Sequence, residues 1–344
     1  MGRDDSMGMR DRFERLGYQN SPILRTACCK TAKTRVRQTW KALADRLLFD
    51  GVAPFRSGLS LDVDFDQVRT LTITALFSDD ELIERLVLKG GNALSLIYKI
   101  TSRGSFDLDF SLQGDLAEVP DAENRIFRVL RDRFDSAGFA LFDEKLRQKP
   151  QKLGEHQPES WGGYEVSFKL IEKEKLEKLG GRLEDLRRQS LVIGSAQRRT
   201  FTVDLSKHEY CEPKVSAQLD HYTIYVYTPA MIAVEKLRAI CQQMPEYRAL
   251  RHLGAPRARD FYDIHLLVTK AGVDLGADLD LIRSVFAAKD VPLRLLSRIS
   301  ECREFHRPDW PAVITSVNEP VEEFDFYFDF VLGEVSGLKT LWVE

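Results

Sequence analysis

The chain has 344 residues, 43% of them hydrophobic and 30% charged, with a formal net charge of −3. That balance describes ordinary globular protein with room for two or three domains, and it announces no polyanionic partner, so any nucleic-acid site has to be a local basic patch. There is no apolar run of membrane-spanning length, and Met1-Gly2-Arg3-Asp4-Asp5 lacks the apolar core of a signal peptide. The five cysteines, Cys28, Cys29, Cys211, Cys241 and Cys302, are odd in number and show neither zinc nor disulfide spacing. A reduced, cytoplasmic protein that does not associate with a membrane is expected.

Residues 1–20 are polar and charged and predict a frayed start. From Arg25 to Lys41 the chain carries Arg25, Lys30, Lys33, Arg35, Arg37 and Lys41 with no acidic residue. Trp40, Leu43, Leu47 and Leu48 follow at helical spacing, which predicts a basic helix docked by its C-terminal half. Its charge serves either a solvated face or a nucleic-acid contact. Leu86-Val87-Leu88 reads as a short strand, and Ala93, Leu94, Leu96, Ile97 and Ile100 as a buried helix. Three stretches alternate polar and apolar residues as half-buried strands do: Asp107 to Leu112, Tyr164 to Leu170 and Thr200 to Leu205. Tyr222 to Tyr227 is a further β-rich run. After it, Thr228 suits a helix N-cap and Pro229 the first helical position. Ala230, Ala233, Leu237, Ile240 and Met244 then line one face. A second helix is predicted from near Pro256 through Asp260, Asp263 and Leu267, with more helix to the end, including the aromatic stretch Phe324 to Phe328.

The residues best suited to chemistry lie in Lys89-Gly90-Gly91-Asn92-Ala93-Leu94 and Arg103-Gly104-Ser105-Phe106-Asp107-Leu108-Asp109-Phe110. Side chains alternate along a strand, so Asp107 and Asp109 project together while Leu108, Phe110 and Leu112 face the core. Paired carboxylates repel unless a cation lies between them, and hard oxygen ligands of this kind suit Mg²⁺, with Mn²⁺ as a possible substitute. A Gly-Gly turn between strand and helix lets backbone N–H groups approach a triphosphate, and Ser105 can add a hydroxyl. Taken singly, an Asp-x-Asp is more often a solvated face and a Gly-Gly is usually just a turn. It is their combination and order that point to a site. The six histidines show no metal-ligand spacing.

Gly90-Gly91-Asn92-Ala93-Leu94 followed by Arg103-x-Ser105-x-Asp107-Leu108-Asp109-Phe110 resembles the AbiEii/AbiGii-type nucleotidyltransferase toxins of the DNA-polymerase-β-like superfamily. Thr228-Pro229 leading to Glu235-Lys236-Leu237-Arg238-Ala239, then Arg257-x-Arg259-Asp260-x-x-Asp263, fits the same pattern. The resemblance runs from about Leu86 to Leu267. It implies an α/β (α+β) fold: a polymerase-β-like nucleotidyltransferase domain with a mixed sheet, followed by a helical C-terminal domain. The corresponding boundaries are 1–60 for an N-terminal basic extension, 61–227 for the nucleotidyltransferase domain and 228–344 for the helical one. By resemblance, Gly90, Gly91, Asn92, Arg103 and Ser105 bind nucleotide, Asp107 and Asp109 bind metal, Lys236 meets nucleotide phosphate, and Asp260 completes the site. The superfamily also implies a third carboxylate on a neighbouring strand, which helps to activate the attacking hydroxyl. Asp204 suits that role, though it also reads as a strand-end residue. Lys236 without the family pattern reads as a solvated helix-edge residue, and Asp260 and Asp263 as partners of Arg257 and Arg259.

The implied reaction is Mg²⁺-dependent attack of an acceptor hydroxyl on the α-phosphate of an NTP, with release of pyrophosphate. The implied role is the toxin of a bacterial toxin–antitoxin or phage-defence pair, with tRNA as leading acceptor and a cognate antitoxin as partner. Two other classes compete. Asp-x-Asp also binds the metal of a nucleotide-sugar in glycosyltransferases, and an inert nucleotide-binding relative would keep the same fold. Candidate RNA contacts are Arg25–Lys41 and the group Arg182, Arg187, Arg188, Arg198 and Arg199.

Overall fold

The computed structural model describes residues 65–101, 107–152, 161–193, 197–248 and 254–343, all within one compact unit, Val63–Glu344. The predicted frayed start, the basic helix at Arg25–Lys41, Arg103 and Ser105 lie outside the described residues.

Helices α1 (Phe65–Leu76) and α2 (Asp80–Arg85) lead into strand β1 (Leu86–Leu88). A single helical turn, α3 (Gly90–Asn92), follows, and then β2 (Leu108–Leu112) and the long helix α4 (Val119–Ser136). Next come β3 (Phe139–Lys149), β4 (Gly163–Glu172), two short helices, α5 (Lys173–Leu179) and α6 (Leu183–Gln189), then β5 (Phe201–Ser206), β6 (Lys214–Leu219) and β7 (Tyr222–Tyr227). The strands form one mixed sheet in the order β3-β4-β5-β2-β1-β7-β6. β2 runs parallel to β5 and β1 parallel to β7, and the other neighbours are antiparallel.

Alternation fixes the register of this sheet. Leu108 and Phe110 of β2 lie beside Val203 and Leu205 of β5, and Val166 of β4 beside Val203. All are buried, in one core with Ile126, Leu130 and Phe134 of α4. The Phe134 and Phe168 rings meet at 5.7 Å. Each of these side chains contributes roughly 1.5–3 kcal/mol by leaving water. A slip of one residue would exchange them for Asp109, Asp204 and Glu165, so the same burial that stabilises the sheet assigns the carboxylates to its other face.

The segment after α3 departs from expectation. Ala93–Ile97 forms a wide π-type turn in place of a regular helix, with the Tyr98 N–H bonded to the Ala93 carbonyl at 3.0 Å. Lys99 then takes φ of +52°, which ends helical geometry. Only Ala93 and Leu94 of the predicted apolar stripe are fully buried.

Beyond Tyr227 the described chain is helical. Thr228 Oγ1 accepts from the Met231 N–H at 3.2 Å and Pro229 opens α7 (Pro229–Cys241). The short α8 (Pro245–Arg248), then α9 (Ala258–Thr269), α10 (Leu279–Ala287), α11 (Arg303–His306), α12 (Trp310–Ser316) and α13 (Phe324–Ser336) complete it. Phe261 of α9 stacks on Phe328 of α13 at 4.9 Å, within a cluster that also holds Phe324 and His306. None of the described helices is long and apolar enough to cross a membrane.

Candidate active site

Asp109 and Asp204 lie side by side in parallel register on the polar face of the sheet. Both line a cavity of about 630 Å³ between the sheet, the Gly90–Gly91 turn and the faces of α7 and α9. The turn is close. Gly90 has φ of +66°, and a β-carbon there would sit 3.0 Å from Asp109 Oδ2. Burial pushes the Asp109 carboxyl up to about 6, since the nearby Lys89 ammonium only partly offsets it and Glu235 and Asp204 add repulsion.

Asp107 is placed differently. Its carboxylate accepts from Thr202 Oγ1 at 2.5 Å and pairs with Arg198 at 3.0 Å, and it is not among the residues lining the cavity. Asn92 is fully buried and turned inward: its Nδ2 donates to the Asp107 carbonyl at 2.7 Å, and its Oδ1 accepts from Arg69 at 2.6 Å. That amide therefore holds the strand start against α1, and Asn92 is not among the residues lining the cavity. Among the described residues no cluster of three or more His, Cys, Asp or Glu side chains is arranged around a metal position. Mg²⁺ commonly takes only one or two carboxylates and completes its shell with water and substrate phosphates, so the Asp109–Asp204 pair has the chemistry such an ion requires.

Lys236 is not the solvated helix-edge residue that its pattern suggests. It is buried, with Nζ 2.9 Å from Asp260 and 2.7 Å from Asp263, both of which are fully buried. Arg257 closes on the other oxygen of Asp260. Burial would raise the Asp260 carboxyl, but the Arg257 and Lys236 charges outweigh it and hold the group well below the usual carboxylate range. Lys236 and Asp260 still line the cavity, as do Arg257 and Arg259.

Several polar groups at the base of the cavity carry no role in the sequence reading. Lys89 pairs with Glu235 at 2.6 Å and approaches Glu209 at 3.6 Å. Arg238 pairs with Glu209 at 2.7 Å, and Lys289 approaches the same carboxylate at 3.6 Å. Burial works against the Lys89 ammonium, yet Glu235 and Glu209 hold it charged, with its pKa raised. Glu235 and Arg238 stand one helical turn apart on α7, a spacing visible in the sequence. Glu209 and Lys289 come from distant loops and left no local signal. Of the described side chains lining the cavity, seven are basic and five acidic, a surplus suited to a polyphosphate.

This arrangement can be set against known proteins. The family model described as the nucleotidyl transferase AbiEii toxin of a type IV toxin–antitoxin system matches residues 73–330. The chain belongs to the AbiEii family. It is accordingly a nucleotidyltransferase with the mixed α/β fold, of a family that generally uses an NTP and a divalent metal. Among solved structures, JHP933 from Helicobacter pylori is 18% identical, covering 80% of this chain and 91% of that one, with a TM-score of 0.43. A putative nucleotidyltransferase from H. pylori is also 18% identical, with 80% and 94% covered and a TM-score of 0.43. The nucleotidyltransferase toxin MenT4 from Mycobacterium tuberculosis is 17% identical, with 80% and 83% covered and a TM-score of 0.44. No curated protein matches the chain.

Proposed function

We propose that this AbiEii-family enzyme uses Mg²⁺ to transfer a nucleoside monophosphate from an NTP to a hydroxyl at the 3′ end of tRNA. We further propose that it acts as the toxin of a cytoplasmic toxin–antitoxin or phage-defence pair that includes a cognate antitoxin. The observation that carries the reading is the cross-strand pair Asp109–Asp204 next to the Gly90–Gly91 turn in one cavity rich in basic side chains. Asp109 and Asp204 would hold the ion, with Asp107, on the same strand face, as the third proposed ligand. Bound there, the ion supplies charge compensation at the attacking and leaving oxygens. Gly90 and Gly91 offer backbone N–H groups to the triphosphate without a side chain in the way. Ser105 and Arg103 are proposed to reach the same phosphates. Asp204 takes the proton of the acceptor hydroxyl. Lys236, held by Asp260 and Asp263, adds a fixed positive charge at the wall, a preorganised source of stabilisation as pyrophosphate leaves. In this reading the nucleotidyltransferase domain spans 61–227 and the helical domain 228–344, with 1–60 an extension.

The test is direct. Each labelled NTP is incubated with the protein, Mg²⁺ and total cellular RNA and protein, and the labelled species are identified. Label should appear in tRNA, and Asp109→Asn should reduce it at least a hundredfold. Wild-type turnover in purified Asp109→Asn protein would remove the metal assignment.

A further inference from the structure

The polar face of the sheet continues past the carboxylates to the edge strand β3. Cross-strand register places Asp204 beside Glu165, Glu165 beside Arg147, and Ser167 beside Lys145. Lys145, Arg147 and Lys149 alternate with Leu146 and Gln148, so the three cations share one face, and all three are exposed. That face is the one opposite α4, whose Phe134 ring meets Phe168. A groove of about 240 Å³ lies there, lined by the cations Lys145, Arg147 and Lys169, the carboxylates Asp143 and Glu165, and the hydroxyls of Ser167, Thr200 and Thr202. Lys149 belongs to the cavity wall and pairs with Asp204 at 3.1 Å, so the groove and the reaction centre share one row of side chains.

The charges available on this face are not those that the arginine-rich stretch suggests. Arg187 is held by Asp143 at 2.7 Å and by Glu184 at 2.9 Å. Arg182 pairs with Asp185 at 3.0 Å and Arg198 with Asp107 at 3.0 Å. The side chains of Lys145 and Arg147, by contrast, have no ion-pair or hydrogen-bond partner among the described residues, while Lys149 in the same row pairs with Asp204 and, at 3.4 Å, with Glu165.

We propose that Lys145 and Arg147, with Lys149, form a phosphate track on which the single-stranded 3′ end of an RNA acceptor crosses the open sheet face to reach Asp109 and Asp204. Residues two apart on a strand lie roughly 7 Å from one another, a spacing comparable with successive phosphates of an extended strand. One line of cations along one edge serves one backbone, which favours a single strand over a duplex. Contacts of this kind position an acceptor without reading its sequence. The inference rests on the RNA-acceptor reading above and names where that acceptor lies.

The experiment compares full-length wild type with the double variant K145E/R147E on an RNA that the wild type labels. The KM for RNA should rise at least tenfold, with kcat within about twofold and the KM for NTP unchanged. The slope of log affinity against log salt should fall by about 1.4, at roughly 0.7 per phosphate contact for single strands. K145R/R147K should bind as wild type, and Lys339→Glu, an exposed charge reversal elsewhere on the described surface, should leave all values in place. An unchanged RNA KM and salt slope in K145E/R147E, alongside RNA labelling by wild type, would overturn the track alone. Labelling of protein and no RNA by wild type would overturn the acceptor reading and the track with it.

Discussion

The ammonium of Lys89 lies 2.6 Å from Oε1 of Glu235, joining the residue before the Gly90 turn to the middle of α7. The pair is largely shielded from water, with side-chain exposures of 7% and 13%. Removing one member of a buried pair leaves its partner's charge behind, at a cost of about 3–5 kcal/mol when no other partner exists. Here Glu209 remains 3.6 Å away, so Glu235→Gln should cost less than that range. Adding Lys89→Met should restore part of the loss, giving a coupling of at least about 0.5 kcal/mol in a double-mutant cycle. Denaturant titration of the four proteins measures it, and strictly additive losses would show that the bridge does not join the two segments.

Lys236 sits between two fully buried carboxylates, Asp260 and Asp263. Lys236→Ala should therefore unfold the chain more easily, by up to about 3–5 kcal/mol, with the Asp260 share reduced because Arg257 stays on its other oxygen, as well as abolishing transfer. The triple change Lys236→Ala/Asp260→Asn/Asp263→Asn removes the charges together and should recover most of the midpoint while remaining inactive. A Lys236→Ala protein with an unshifted midpoint would show that the ammonium lies in solvent.

Gly90→Ala tests the turn. At φ of +66° a β-carbon is strained, and this one would press on Asp109 Oδ2 at 3.0 Å. Such a change destabilises by more than about 1 kcal/mol where the glycine conformation is required. Transfer should also drop sharply, because the carboxylate is displaced. Normal kinetics and stability in Gly90→Ala would place the turn away from the carboxylate.

The raised Asp109 carboxyl predicts a specific pH response in the metal-free protein. Its value moves from 3.8 to about 6 on folding, so the folded state holds this proton more tightly than the unfolded chain. Stability contributed by this group is fully present below about 4 and is lost as pH rises through about 6. The midpoint difference between Asp109→Asn and wild type should therefore widen across pH 4–6 and then level. At pH 7 added Mg²⁺ should raise the wild-type midpoint and leave Asp109→Asn unmoved. A difference constant with pH would place the carboxyl in solvent.

Much of the sheet is legible in the sequence wherever one face is apolar. β2, β4 and β5 each alternate and β7 is a β-rich run, and each forms within two residues of its predicted span. β3 carries no clean alternation, because it is an edge strand whose residues beyond Phe139 are at most half-buried, and it bulges between Phe142 and Lys145. The Asp109, Gly90 and Gly91 motif is readable as two short segments, and the antiparallel pairing of β1 with β2 brings them together. Asp204 reaches Asp109 only through strand pairing, yet its own alternation sets its face. Lys236 misleads for a different reason: its partners lie 24 and 27 residues on in a separate helix, and helical periodicity describes a face without saying what packs on it. Glu209 and Lys289 are invisible for the same reason, since their contacts are purely tertiary.

Among the described residues β3 is an edge strand of eleven residues, and such an edge is also a hazard, because an outer row of N–H and C=O groups offers a template on which another chain can add. Lys145, Arg147 and Lys149 stand along that edge, and Asp143, with φ of +54°, sits in the bulge that breaks its line. Like charges would meet when two such edges approach, and the bend prevents a long continuous match. The row that invites a phosphate backbone thus also disfavours edge-to-edge pairing with a second copy of itself.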